Sequence, residues 1–134
     1  MKVVIDTNVF ISSFLDDGNP RNVIDLWKNG RLTLCLSQEI VSEYVEVLQR
    51  LGIDEENELK KLLQLFALGY HSIFTGSTEK LSIVIHDPDD DKFFECAVSL
   101  NAKYIITEDK AVLKISDYCG IKVVNPADFL ENFT

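Results

Sequence analysis

Short runs of aliphatic and β-branched residues alternate along this chain with longer stretches in which apolar side chains recur every three or four positions. Lys2–Ile5, Arg31–Leu36, Tyr104–Thr107 and Ile121–Val124 read as buried strands, and Leu81–Ile85 as either a fifth strand or a loop. Between them the helical spacing covers Val9–Leu15, Arg21–Asn29, Gln38–Leu51, Glu55–Tyr70, Asp89–Leu100, Ala111–Ser116 and Ala127–Asn132. Strands alternating with helices imply right-handed crossovers, and so a mostly parallel sheet covered on both faces.

The punctuation agrees with these boundaries. Asp17-Gly18-Asn19-Pro20 reads as a turn with Pro20 starting a helix, Ser37 as an N-cap, Gly52 as the residue just past a helix end and Pro126 as the start of the last helix. Glu56 and Lys60, four apart, read as an exposed pair on a solvated face. On the Gln38–Leu51 helix, Ile40, Tyr44, Val47, Leu48 and Leu51 form one apolar stripe. Glu43 borders that stripe, while Glu39 and Glu46 fall towards solvent. On the Asp89–Leu100 helix, Phe93, Ala97 and Leu100 define the buried face, which turns Asp90 inward and Asp91 away.

Composition sets the outer limits. With 134 residues, 46% of them apolar and 26% charged, the chain reads as one soluble domain spanning residues 1–134 rather than a disordered segment. Neither a signal peptide nor a membrane span is visible, so a cytoplasmic protein is expected, with no membrane partner. Cys35, Cys96 and Cys119 are odd in number and widely spaced, which suggests buried reduced thiols rather than disulfides or a zinc site. The net charge of −9 argues against a protein that coats nucleic acid by bulk electrostatics.

The acids carry the chemistry. Asp6 ends the first strand, Glu43 edges a buried helix face, Asp90 lies at the start of a helix and Asp109 follows another strand. Ligands of parallel α/β sheets gather at the carboxyl ends of strands. Acids converging there repel one another unless a cation sits among them, and Mg²⁺ or Mn²⁺ is the natural filler, being hard and oxygen-seeking. That combination points to metal-assisted cleavage of a phosphodiester. Each acid also has a plainer role: Asp6, Asp90 and Asp109 suit helix capping, and Glu43 suits a boundary residue reaching for water. Asn8 would act as a supporting donor, and Thr107, on the same side of its strand as Asp109, would bond a carboxylate or phosphate oxygen. An EF-hand reading of Asp87, Asp89 and Asp91 fails, because Lys92 replaces the required Gly and Val98 stands where the bidentate Glu belongs. His71 and His86 read as surface or structural residues.

Four segments together resemble the PIN-domain nucleases: Val3-Val-Ile-Asp6-Thr-Asn-Val-Phe10, Glu43-Tyr-Val-Glu-Val-Leu48, Asp90-Asp-Lys-Phe-Phe-Glu-Cys-Ala97 and Tyr104-Ile-Ile-Thr-Glu-Asp109. The likeness extends to the ending Val123-Val-Asn-Pro-Ala-Asp-Phe-Leu130 and is greatest to the small prokaryotic toxins of toxin–antitoxin pairs. It implies a Rossmann-like α/β/α sandwich and a divalent-metal-dependent endoribonuclease whose acidic quartet is Asp6, Glu43, Asp90 and Asp109, with Asn8 and Thr107 supporting. Asp87 or Asp91 is the alternative register for Asp90. Glu108 departs from the Gly that the family often carries. The resemblance further implies an RNA substrate, a cognate antitoxin and a homodimer, with one or two Mg²⁺ or Mn²⁺ ions. Lys110 and Lys114 are candidate contacts to RNA phosphates. Rival readings are a catalytically idle PIN-like module that acts by binding a protein, and phosphoryl-transfer domains with strand-end aspartates, one type of which would need an Asp where Asn8 stands.

Overall fold

The computed structural model describes residues 1–52, 58–84 and 88–133. Ile85, Glu56, His86 and Asp87, named above, lie outside the described residues. A six-stranded sheet is built from β1 (Lys2–Ile5), β2 (Thr33–Ser37), β3 (Ser72–Thr75), β4 (Tyr104–Ile106), β5 (Asp117–Tyr118) and β6 (Ile121–Val124), in the order β3-β2-β1-β4-β6-β5. All neighbouring pairs are parallel except β5–β6, a short antiparallel return at one edge. The helices are α1 (Thr7–Leu15), α2 (Asn19–Lys28), α3 (Gln38–Arg50), α4 (Glu58–Ala67), α5 (Asp91–Leu100), α6 (Lys110–Leu113) and α7 (Pro126–Asn132). The expected α/β architecture with a mostly parallel sheet is therefore the observed one.

Burial explains the arrangement. Val3, Val4 and Ile5 are wholly buried, as are Leu34, Cys35, Ile105 and Ile106, because a parallel sheet covered on both faces has no wet side. Large aromatics fill the space beneath the helices: Phe10 stacks on Tyr44 with ring centroids 4.1 Å apart, and Trp27 donates its indole N–H to the carbonyls of Tyr70 and His71. Phe10 and Trp27 are both wholly buried in this core. Among the described residues, no helix is long and apolar enough to cross a membrane.

Several boundaries differ from the sequence reading, among them the end of the Ala111–Ser116 helix, observed as Lys110–Leu113. The Glu55–Tyr70 pattern stops at Ala67, where Gly69, at φ +67°, closes the helix: its N–H reaches the Phe66 carbonyl and the next N–H, of Tyr70, reaches Leu65. The chain then enters β3, an edge strand with half-exposed residues that no alternation announced. Of Leu81–Ile85, the described residues 81–84 form no strand. Finally, residues 88–90 form a 3₁₀ turn, so α5 starts at Asp91. That shift brings Asp91 into the interior instead of out to solvent.

Candidate functional site

The strand order reverses beside β1: the chain moves from β1 to β2 and β3 on one side, then returns to lay β4 on the other. The carboxyl ends of β1 and β4 flank this switch point, where parallel α/β sheets open a crevice. Asp6 follows β1 directly. Its N–H donates to the Ile106 carbonyl at 2.9 Å, and its Oδ1 accepts the Asn8 N–H at 3.2 Å, capping α1. Thr107 follows β4, is wholly buried, and donates its hydroxyl to Asp6 Oδ2. The same Thr107 oxygen accepts the Asp109 N–H at 3.0 Å, which sets Asp109 at the start of α6. There Asp109 Oδ1 accepts the amides of Ala111 and Val112 at 2.8 and 3.3 Å.

Glu43 approaches from α3. Ser37 caps this helix through the Ile40 amide, and the buried Ile40, Tyr44 and Leu48 fix its rotation so that Glu43 stands half-buried at the rim. Thr7, next to Asp6, donates its hydroxyl to Glu43 Oε1. Lys92 Nζ lies 2.7 Å from Glu43 Oε2 and 2.6 Å from the Asp89 carbonyl. Beneath them the Tyr44 hydroxyl donates to the Ile5 carbonyl, the last of β1. Burial, reinforced by the Asp6 carboxylate, pushes that phenol well above its usual pKa, so it remains a donor.

The electrostatics follow from this crowding. Burial raises the Asp6 carboxyl above its usual 3.8; the hydrogen bonds from Thr107 and Asn8 oppose the rise, and the negative charges of Asp109 and Glu43 add to it. Three of the expected acids thus share one neighbourhood. Asp90 is half-buried at the junction of the 3₁₀ turn and α5, two residues before the lysine that crosses to Glu43. Among the described residues, no three His, Cys, Asp or Glu side chains are drawn closely enough together to hold one ion. Asp6, Glu43 and Asp109 are each met instead by protein donors.

Other expectations resolve variously. Asn8 contributes its backbone amide, while the residue as a whole is exposed. Lys110 and Lys114 are exposed on and just after α6, Glu39 and Glu46 are exposed, and Glu108 points to solvent. Asp91, expected to face away, accepts the amides of Ile83 and Val84 at 3.1 and 2.7 Å, and the buried Glu95 accepts that of Leu81 at 2.9 Å. Cys35 and Cys96 are buried thiols, pushed by burial up to about 11 and about 12, but Cys119, on an exposed turn, does not share their burial. The sequence reading passed over Thr7 and Lys92. A Thr directly after a strand-end Asp, and a lone Lys inside an acidic run that leads into Phe93-Phe94, were the available signals.

A family model described as "PIN domain" matches residues 2–111. A protein of Methanocaldococcus jannaschii named "Uncharacterized protein MJ1680" is 32% identical over 146 aligned positions, which cover 99% of this chain and 92% of that protein.

Proposed function

The chain belongs to the PIN domain family, and on that premise we propose that it is a divalent-metal-dependent endoribonuclease hydrolysing RNA phosphodiester bonds with an activated water. PIN domains are generally nucleases, so hydrolysis of phosphodiesters is the family's activity at its coarsest. The observation that carries the finer reading is the Asp6 carboxyl, buried at the switch point and raised further by the charges of two other acids. A divalent cation would offset this crowding of acids around Asp6, and their oxygen donors suit Mg²⁺ or Mn²⁺. Mg²⁺ commonly binds through one or two carboxylates and keeps several waters, so it needs no closed protein cage.

In this reading Asp6 and Asp109 hold the ion, with Glu43 and Asp90 as the remaining acids of the quartet. When bound, the metal supplies a water of lowered pKa and screens charge on the phosphate oxygens. The protein's part is positioning. Thr107 fixes the Asp6 carboxylate and, through the Asp109 amide, the start of α6; Thr7 fixes Glu43; the Asn8 amide orients Asp6 from the helix side. Lys110 and Lys114, exposed on and just after α6, would in this reading contact the phosphates of a single-stranded or looped RNA. A cognate antitoxin and a homodimer belong to the same reading as partners, and each is tested by co-purification and by mass in solution.

A second reading, an idle PIN-like module that works by binding protein, draws on the Lys92–Glu43 ion pair, which already neutralises one acid. A gel assay on mixed RNA separates the two. Cleavage with Mn²⁺ that disappears in EDTA and in Asp6→Asn and Asp90→Asn is expected of the nuclease. Cleavage surviving in metal-stripped protein or in those variants would refute the mechanism, and metal binding without cleavage would favour the idle module.

A further inference from the structure

Lys92 is the least expected charge in the molecule. Its side chain is 9% exposed, at the start of α5, where the neighbouring Phe93 and Phe94 are wholly buried. A lysine so enclosed is almost never found without a partner. Its ammonium meets Glu43 Oε2 at 2.7 Å and the Asp89 carbonyl at 2.6 Å, and lies 5.0 Å from the centre of the Phe93 ring. Glu43 gives its other oxygen to Thr7, the residue beside Asp6. The positive charge therefore stands at one flank of the same group of acids, on a carboxylate already gripped from both sides.

We infer that Lys92 is a resident cation of the acid cluster, holding Glu43 on the α5 side so that a divalent ion can recruit this carboxylate only by displacing the ammonium. The inference rests on the metal-dependent reading above. Its consequence is that the chain's affinity for metal is set partly by a competitor it carries itself. Lys92 is a positioning residue here: it acts through Glu43 and is assigned no contact with substrate. A lysine that merely cemented α5 against α3 would leave metal affinity unchanged when removed.

The test is Mn²⁺ binding followed by electron paramagnetic resonance and calorimetry, on wild type, Lys92→Met and Lys92→Gln, each alone and combined with Glu43→Gln. Met keeps the volume without the charge, and Gln keeps a donor for Glu43 should Met impair folding. Either variant is expected to bind Mn²⁺ about tenfold more tightly, as removal of a nearby like charge requires. On the Glu43→Gln background the gain should shrink to less than about twofold, because coupled residues lose additivity. Unchanged or weaker binding in a folded Lys92 variant overturns the inference, as does an equal gain on both backgrounds. Wild type that binds Mn²⁺ while these comparisons fail leaves the nuclease reading standing. Absence of Mn²⁺ binding in every protein, wild type included, removes both.

Discussion

A carboxylate enclosed at the end of β1 is favoured in its neutral form, since burial penalises the charge and Asp109 and Glu43 repel it. The sign of the linkage follows. A folded-state pKa above the usual 3.8 means that the native protein binds the Asp6 proton more tightly than the unfolded chain does. The stability this confers is fully present below pH 3.8 and is lost as pH rises through the elevated native value. In EDTA at pH 7, Asp6→Asn should therefore melt a few degrees higher than wild type, and the gap should close as pH falls. A variant melting lower at pH 7 would mean that Thr107 and Asn8 more than compensate for burial. Asp6, Glu43 and Asp109 were legible in the sequence because strand ends and the border of an apolar stripe are positions that spacing alone defines. Lys92 and Asp91 were not. Spacing in the first turn of a helix cannot say which of several adjacent acids faces inward once the helix begins two residues later than the pattern suggests. Nor does the sequence reveal that the amides of Ile83 and Val84 need an acceptor.

Those two amides make a prediction about an element. Residues 81–84 have no strand pairing of their own; Asp91 and Glu95, one turn apart on α5, accept their N–H groups from within the interior. Asp91→Ala would strip the acceptor from both Ile83 and Val84, and the loss is expected to cost about 2–3 kcal/mol in urea unfolding. Hydrogen exchange at Ile83 and Val84 should accelerate well beyond that at Leu81, which Glu95 still holds. Asp91→Asn retains an oxygen and should lose less. If Asp91→Ala instead leaves stability and exchange untouched while removing Mn²⁺ binding, Asp91 rather than Asp90 is the acid of the site. The helices and central strands were readable because burial on both faces leaves continuous apolar runs. The edge strands β3 and β5 were not, since β3 is half wet and β5 is two residues long. What places β3 is pairing with β2 across a long stretch of chain, and no local pattern encodes that.

At the scale of the whole molecule, the proposed RNA substrate is a polyanion, and a protein with 13 Lys and Arg against 22 Asp and Glu, net charge −9, would meet it against overall repulsion. Repulsion over most of the surface restricts contact to places where Lys or Arg projects, and several candidates are already engaged. Arg21 is held by Asp17 at 2.9 Å, Arg31 lies over the Phe133 ring and Lys92 is enclosed against Glu43. Lys110 and Lys114 are exposed one turn apart, on and just after the helix that Asp109 caps. Counterion release then fixes the salt dependence. Single-stranded RNA releases roughly 0.7 of a counterion per neutralised phosphate, so two or three contacts give a log–log slope of about −1.4 to −2. Measured by fluorescence anisotropy with the non-cleaving Asp6→Asn protein, wild-type surface lysines should give a slope in that range. Lys110→Ala with Lys114→Ala should bring it to between zero and about −0.7 and weaken binding about equally on all RNA sequences, because phosphate contacts carry no sequence information. A slope steeper than about −4 that survives the double substitution would require a different face, the cleft that Lys28 and Lys61 line together with Asp25 between α1, α2 and α4 being the next to examine. In that outcome RNA would approach from the helical side, and the acids at the strand ends would have to be reached by a strand threading over the sheet edge rather than by one laid across α6.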